Sequence, residues 1–437
     1  ILVNLERERY TVMPNQLQRG KIDYTLIFII LLLAVISVFT LYTLDPYLKQ
    51  IYPNTTYYIQ QIVWYIGGSI LIGVIMLVDY DRLRLVSWLF YGVGVLMLIM
   101  LYFHFPPGIA KEVNGAWGWF EFPVLGTLQP AEFMKVFLVI FLAHLMVSHN
   151  EKYPEHVLKT DLLLLAKIGV TSAIPIFFLI EQPDLGGVLV LIAITASMIL
   201  VSGIKWRIIL FIFGISAGAI LTIIGIYLTF PEQMAAFLQD AGLQHVQDRF
   251  QGWLSTDEYR QSGAYQLVRA MLAIGSGQLS GKGIGNFEMA FRIPEYHTDM
   301  IFTAIAEQFG FIGSSIVITI YFLLIYRLIF IAIKSKDPFG SYIITGLIGM
   351  FTFQVFQNIG MSIKLLPITG LPLPFISYGG SSTLTYMIAI GLVLNIYYRI
   401  KTYMICKKDI SIFIISEKKK VLYSFLIRRW NRKFSLP

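Results

Sequence analysis

Charge is what this chain has least of. Only 14% of its 437 residues are Asp, Glu, Lys or Arg, against 56% hydrophobic, and the mean hydropathy is +0.69. So little charge cannot clothe a water-soluble fold of this length, and lipid must solvate most of the surface. Cysteine is almost absent as well: the single Cys406 excludes an intramolecular disulfide, and six scattered histidines offer no Cys/His spacing for zinc. No polar stretch is long enough for a separate soluble domain. Low-complexity segments and internal repeats are lacking too, so an inverted-repeat transporter gains no support.

What is there is a series of apolar runs of roughly 20 residues, the length that crosses about 30 Å of hydrocarbon. The first is too long for a signal peptide and has no small-residue cleavage site, so it reads as a retained span. The runs predict an all-α polytopic membrane protein with ten spans near residues 22–44, 57–78, 85–103, 130–148, 161–180, 185–203, 206–230, 306–333, 339–363 and 378–400. Short connections bearing Arg19 and Lys21, Arg82 and Arg84, Lys152 and Lys159, Lys205 and Arg207, and Lys334 and Lys336 alternate with acidic ones. The positive-inside rule makes the basic side cytoplasmic, with both termini. Residues 45–57, the turn Glu181 to Asp184 and a large segment at 231–298 then face outward. Three regions follow: a cytoplasmic segment at 1–21, a transmembrane domain at 22–400 and a basic cytoplasmic tail at 401–437.

The net charge of +8 belongs to the end of the chain, which carries eleven Lys or Arg from Arg399 onward against Asp409 and Glu417 and leaves the rest close to neutral. Apolar residues such as Ile412, Phe413 and Phe425 interleave with the cations, a pattern suited to anionic membrane lipid. A solvated tail that only sets topology is an equal reading. Nucleic acid is excluded, since no stacking platform or binding fold accompanies the charge.

Four stretches carry candidate chemistry. GSGQLSGKG at 275–283 departs from a phosphate loop, with Ser276 and Gly283 at required positions; it reads as a bending outer loop whose Lys282 is free for a phosphate. LQPAEFMKVF at 128–137 opens a span with Pro130, and Glu132 and Lys135 share one face. They form either a structural ion pair or the lining of a polar cavity, where Lys135 faces an anionic head group. Asp184, just before LGGVLVLI, is either a helix cap or a functional acid. KLLPITGLPLPFISYGGSS at 364–382 holds three prolines and three glycines, backbone that survives at membrane depth only when buried in protein or lining a wet cavity. It reads as a re-entrant loop.

NGAWGWF at 114–120, QPAEFMK at 129–135, QPDLGG at 182–187, PEYHTDMIF at 294–302, QNIGM at 357–361 and LPITGLPLPFISYGGSS at 366–382 together resemble the SEDS family of RodA, FtsW and SpoVE. The resemblance runs in order over residues 20–400, and QQIVWYIGG at 60–68 is most like the RodA branch. It implies the SEDS fold and a peptidoglycan glycosyltransferase that polymerises lipid II at the outer face of the bacterial cytoplasmic membrane. Its partner would be a class B penicillin-binding protein, a transpeptidase, within the elongation or division machinery. Asp299 of the HTD motif would be the catalytic base, with Glu132, Lys135 and Asp184 supporting it. Met300, Gln308 and Lys364 depart from the family pattern without removing that aspartate.

Glycosyl transfer from a lipid diphosphate needs a base for the acceptor hydroxyl and positive charge for the leaving group. Lys135, Arg292 and Lys364 are the candidate cations, His297 a supporting residue, and no cofactor is required beyond room for a divalent cation. Burial raises the Asp299 pKa and a helix N-terminus lowers it; the sequence does not rank the two. Two other readings compete: a lipid II flippase, and a scaffold using the Gly214 and Gly218 spacing of the seventh span. Polar residues concentrated toward the outer half, and a PEYHTD motif that a scaffold does not need, favour chemistry. Division and sporulation polymerases of the same family are the alternative roles.

Overall fold

The computed structural model describes residues 22–113, 116–122, 126–234, 249, 252–254 and 264–399. The N-terminal segment, most of the outer segment between 235 and 263, and the basic tail with Cys406 lie outside the described residues.

Three helices open the chain: α1 (Tyr24–Ile51), α2 (Tyr57–Leu77) and α3 (Tyr80–Tyr102). A small sheet of β1 (Ala110–Val113), β2 (Ala116–Phe122) and β3 (Gly126–Leu128) follows. Then come α4 (Pro130–Lys152), α5 (Leu158–Glu181), α6 (Leu185–Val201), α7 (Trp206–Thr229), the short α8 (Tyr265–Ser276), α9 (Ile301–Lys334), α10 (Pro338–Ser362) and α11 (Gly380–Arg399). Nine of the described helices are long and apolar enough to cross a membrane, and the 17-residue α6 is an apolar tenth. These are the ten expected spans, with ends moved by a few residues. The largest change is at α1, which runs on to Ile51 through Pro46 and carries the Lys49–Asp45 pair at 2.6 Å.

Helix starts follow capping chemistry. Asp23, Asp79 and Asp337 each accept a backbone N–H at the first turn of α1, α3 and α10, and Pro130 and Pro338 stand where no intrahelical partner is needed. Two of these caps also tie helices together: Arg327 of α9 pairs with Asp23 at 2.7 Å, and Arg399 of α11 with Asp79 at 3.0 Å. Both lie at the basic end of the bundle, where Arg84 of α3 also pairs with Glu151 of α4.

The centre of the bundle is α4, α10 and α11, the most buried spans, with α6 packed along α10. Met134, Leu138 and Leu142 of α4, Leu347 and Phe351 of α10, and Tyr386 and Val393 of α11 share one core. By contrast α7 is nearly all exposed, and a Cβ at Gly214 or Gly218 would meet nothing within 4 Å. The small-residue face is therefore open.

Two features depart from the expected bundle. The connection from α3 to α4 is an antiparallel meander in the order β1-β2-β3, with Ala110 opposite Phe120 and Phe120 opposite Leu128. Trp117 with Trp119 on one face, and Phe120 with Phe122 on the other, suit a pleated strand better than a plain linker. The second is a break in α9 at Gly310, which takes φ 63 and ψ −157. A Cβ there would overlap the Gly281 nitrogen, so glycine lets the 279–281 backbone lie against the helix.

Candidate active site

The outer ends of α4, α6, α9 and α10 converge on the segment from Ile363 to Gly379, which stays non-helical between α10 and α11. Its carbonyls are taken up one by one. Ser37 donates to Ile376 O at 2.7 Å, Tyr65 and Tyr321 to Phe375 O and Pro374 O, Gln357 to Pro367 O at 2.9 Å, and Asn358 to Leu371 O at 2.7 Å. This is how irregular backbone is held within a membrane protein, buried against side chains of neighbouring spans. The loop is packed against the bundle, the burial that its prolines and glycines demand.

That loop and α10 together clamp the HTD turn. Tyr378 N–H donates to His297 O at 3.0 Å, Ser377 Oγ to Thr298 O at 2.5 Å, and Asn358 Nδ2 to Asp299 O at 2.6 Å. Three successive carbonyls are thus fixed from outside the turn, and the Asp299 side chain lies against Gly370 of the loop. Its Oδ2 lies 3.3 Å from where a Cβ of Gly370 would be, so the loop closes on the carboxylate only because residue 370 has no side chain. Asp299 does not cap α9, whose N-cap is Met300 without a side-chain bond. Thr298 donates to Glu295 Oε2 at 2.8 Å.

Burial pushes the Asp299 carboxyl up to about 8, reinforced by Glu295, opposed by Arg249, and raised further by Asp184 and Glu132. Three acids and one arginine thus act on the Asp299 carboxyl. Asp184 caps α6, its Oδ1 accepting from Gly187 N–H at 2.8 Å, as the cap reading expects. Glu132 and Lys135, 5% and 1% exposed, pair at 2.5 Å in the first turn of α4, and Glu132 Oε2 has no hydrogen-bond partner among the described residues. His297 is buried with its ring 4.7 Å from Tyr57 and 6.0 Å from Tyr378; burial lowers its pKa.

The remaining candidates make other contacts. Arg292 is exposed and stacks over Phe291 at 5.3 Å. Lys364 begins the loop after α10 at φ 63, and its carbonyl accepts from Trp253 Nε1 at 3.0 Å. Lys282 is not free for a phosphate: it pairs with Glu288 at 2.7 Å and with the fully buried Glu307 at 3.0 Å. Glu307 also accepts backbone N–H groups of Glu288, Met289 and Ala290, which fastens the 282–290 loop to α9. Among the described residues no group of three or more His, Cys, Asp or Glu is arranged to hold a metal ion. Sequence reasoning missed Arg249, which stands in a stretch without periodicity or motif.

An all-α multi-pass membrane protein with a carboxylate cluster at one end of the bundle is the class these features define. Over residues 24–402 the chain matches the family model described as cell cycle protein, that of FtsW, RodA and SpoVE, and it belongs to that family. It is 30% identical to a probable peptidoglycan glycosyltransferase FtsW of Geobacter metallireducens, over 78% of this chain and 85% of that one. It is 29% identical to the stage V sporulation protein E of Bacillus subtilis, over 86% and 96%. Among solved structures, one from work on coordination of polymerization and crosslinking by a peptidoglycan synthase complex aligns with TM-score 0.66 at 25% identity, over 86% and 97% of the chains. The Thermus thermophilus rod shape determining protein RodA aligns with TM-score 0.58 at 25% identity, over 88% and 99%. The family places the chain in the bacterial cytoplasmic membrane.

Proposed function

We propose that this protein is a peptidoglycan glycosyltransferase that polymerises lipid II at the outer membrane face, with Asp299 as general base. The observation that carries the reading is the Asp299 carboxyl, in a turn whose three carbonyls are clamped from outside, set against Gly370 of the loop and raised to about 8. A base that takes a hydroxyl proton in the transition state works best with a pKa near the working pH. The ionised Asp299 takes the proton of the GlcNAc 4-hydroxyl on one lipid II. That oxygen attacks the anomeric carbon of the MurNAc ending the growing strand. The bond from that carbon to the diphosphate breaks, and its electron pair leaves with undecaprenyl diphosphate. The Glu132–Lys135 pair and Asp184 set the charge around the carboxylate. The relatives named as glycosyltransferases, and the neighbour from work on coupled polymerization and crosslinking, support both the activity and a class B penicillin-binding protein as partner.

Rod-shape elongation is the role proposed, on the resemblance of residues 60–68 and 357–361 to the RodA branch and on the RodA structural neighbour, although curated relatives include FtsW and SpoVE. Two experiments test these readings. Purified protein with its transpeptidase should polymerise lipid II, and Asp299→Asn should lower the rate by at least about 10²-fold, the lower end of what a positioned proton acceptor contributes; wild-type activity in a folded Asp299→Asn protein would sink the assignment. In cells, expression should restore rod shape after loss of the elongation polymerase; rescue of division alone would move the protein to the other branch.

A further inference from the structure

The site holds more acids than its chemistry can use unless a cation answers them, and most nearby cations are already committed. Lys135 is bonded to Glu132, Lys282 to Glu288 and Glu307, and Arg292 lies exposed over Phe291. Arg249, from the outer segment, is different. Its Nη1 donates to Thr369 O at 3.2 Å, a bond that uses one of the five N–H donors of a guanidinium. Thr369 adjoins Gly370, which leaves the space beside Asp299 Oδ2. The same Thr369 carbonyl lies 2.8 Å from where a Cβ of Gly186 would be, in the first turn of α6 that Asp184 caps. Arg249 therefore stands on the strip of backbone that joins the two carboxylates, and its charge acts on both Asp184 and Asp299. Half-buried, it remains a cation, because a guanidinium does not lose its proton in a protein.

We propose that Arg249 is the anion-binding residue of this cleft, receiving the diphosphate of a polyprenyl-linked sugar through the donors not used on Thr369. This deepens the polymerase reading and rests on it. Arginine presents a planar fork that meets two phosphate oxygens at once, which neither a lysine nor a backbone amide does. As the bond from the anomeric carbon to the diphosphate breaks, the electron pair settles on the diphosphate oxygen, and Arg249 faces the charge that develops there. The proton released by the acceptor hydroxyl goes to Asp299, so base and cation act on opposite sides of the transferred sugar carbon. Until substrate arrives, the bond to Thr369 O holds the guanidinium in place.

The test uses the full-length protein with its transpeptidase and two probes, a polyprenyl diphosphate and inorganic pyrophosphate. Binding is measured on the Asp299→Asn protein, and inhibition of polymerisation on the otherwise unaltered one. Arg249→Gln should weaken polyprenyl diphosphate binding and inhibition at least tenfold, and Arg249→Lys by a smaller factor, with unchanged melting temperature. Pyrophosphate should bind more weakly than the lipid-linked probe but show the same dependence on residue 249. Equal binding of both probes by Arg249→Gln and the parent would overturn the assignment even if polymerisation is confirmed. Arginine-dependent binding in a protein that does not polymerise lipid II would instead overturn the polymerase reading and leave the diphosphate site standing.

Discussion

Asp299 stands among Glu295, Asp184 and Glu132 with Arg249 as the opposing charge, and this company has consequences for both rate and stability. With the carboxyl near 8, the ionised base is the minor form at neutral pH. Polymerisation should therefore rise nearly tenfold per pH unit below about 8 and level off above, a profile read from initial rates between pH 6 and 9. Stability runs the other way. The folded carboxyl titrates above its ordinary 3.8, so the fold binds that proton more tightly than the unfolded chain. The stability this contributes is full below about 3.8 and is lost as pH rises toward about 8. Asp299→Asn should accordingly melt higher than the parent at pH 8, with the gap closing as pH falls toward 4. A buried pair adds a second prediction. Lys135→Met leaves Glu132 charged and alone, and should cost about 3–5 kcal/mol of stability, whereas Lys135→Met with Glu132→Gln should recover most of it. If polymerisation returns together with stability in the double variant, the pair is structural only; we expect it to stay at least tenfold down. Of these residues, the motif PEYHTD singled out Asp299, but Arg249 has no sequence signal. It meets Asp184 and Asp299 through chain segments separated by dozens of residues, and only folding joins them.

Among elements, the spans were legible because lipid tolerates little besides apolar side chains, so each helix announces itself as an uncharged run. The buried loop between α10 and α11 was legible for the complementary reason: three prolines and three glycines cannot form a span, and their placement between two spans demands burial. Where backbone conformation depends on a distant contact, the sequence fell silent. The break of α9 at Gly310 answers the approach of residues 279–281, and the β1–β3 meander rests on pairing between short strands. These contacts also show which element governs the site. Asn358 of α10 bonds both Asp299 O and Leu371 O with one amide, so it couples the HTD turn to the loop beneath it. Asn358→Ala should lower kcat at least tenfold through misplacement of the base, with KM changed far less, and Asn358→Asp should not rescue it because the donor is gone. A variant with unchanged kcat would mean that the other two carbonyl clamps suffice.

For the molecule as a whole, function depends on which way the bundle faces, since the carboxylate cleft lies at one end and the basic connections at the other. Arg84, Lys152, Lys205, Lys334 and Arg399 all sit at helix ends opposite Asp184 and Asp299 along the alternating spans. Three ion pairs, Arg84–Glu151, Arg327–Asp23 and Arg399–Asp79, stitch that basic end together, so the charges that orient the protein also hold its helices in register. With the basic end cytoplasmic, the cleft faces the outer surface. The chain lends itself to a direct test, because replacing its single cysteine, Cys406→Ser, leaves a background without thiols. Glu181, exposed at the end of α5, and Lys336, exposed between α9 and α10, mark the two ends. In intact spheroplasts a membrane-impermeant thiol reagent should label Glu181→Cys at once and reach Lys336→Cys only after permeabilisation. The opposite pattern would put Asp299 on the cytoplasmic side, away from the growing wall, and a polymerase acting at the outer face would then be untenable.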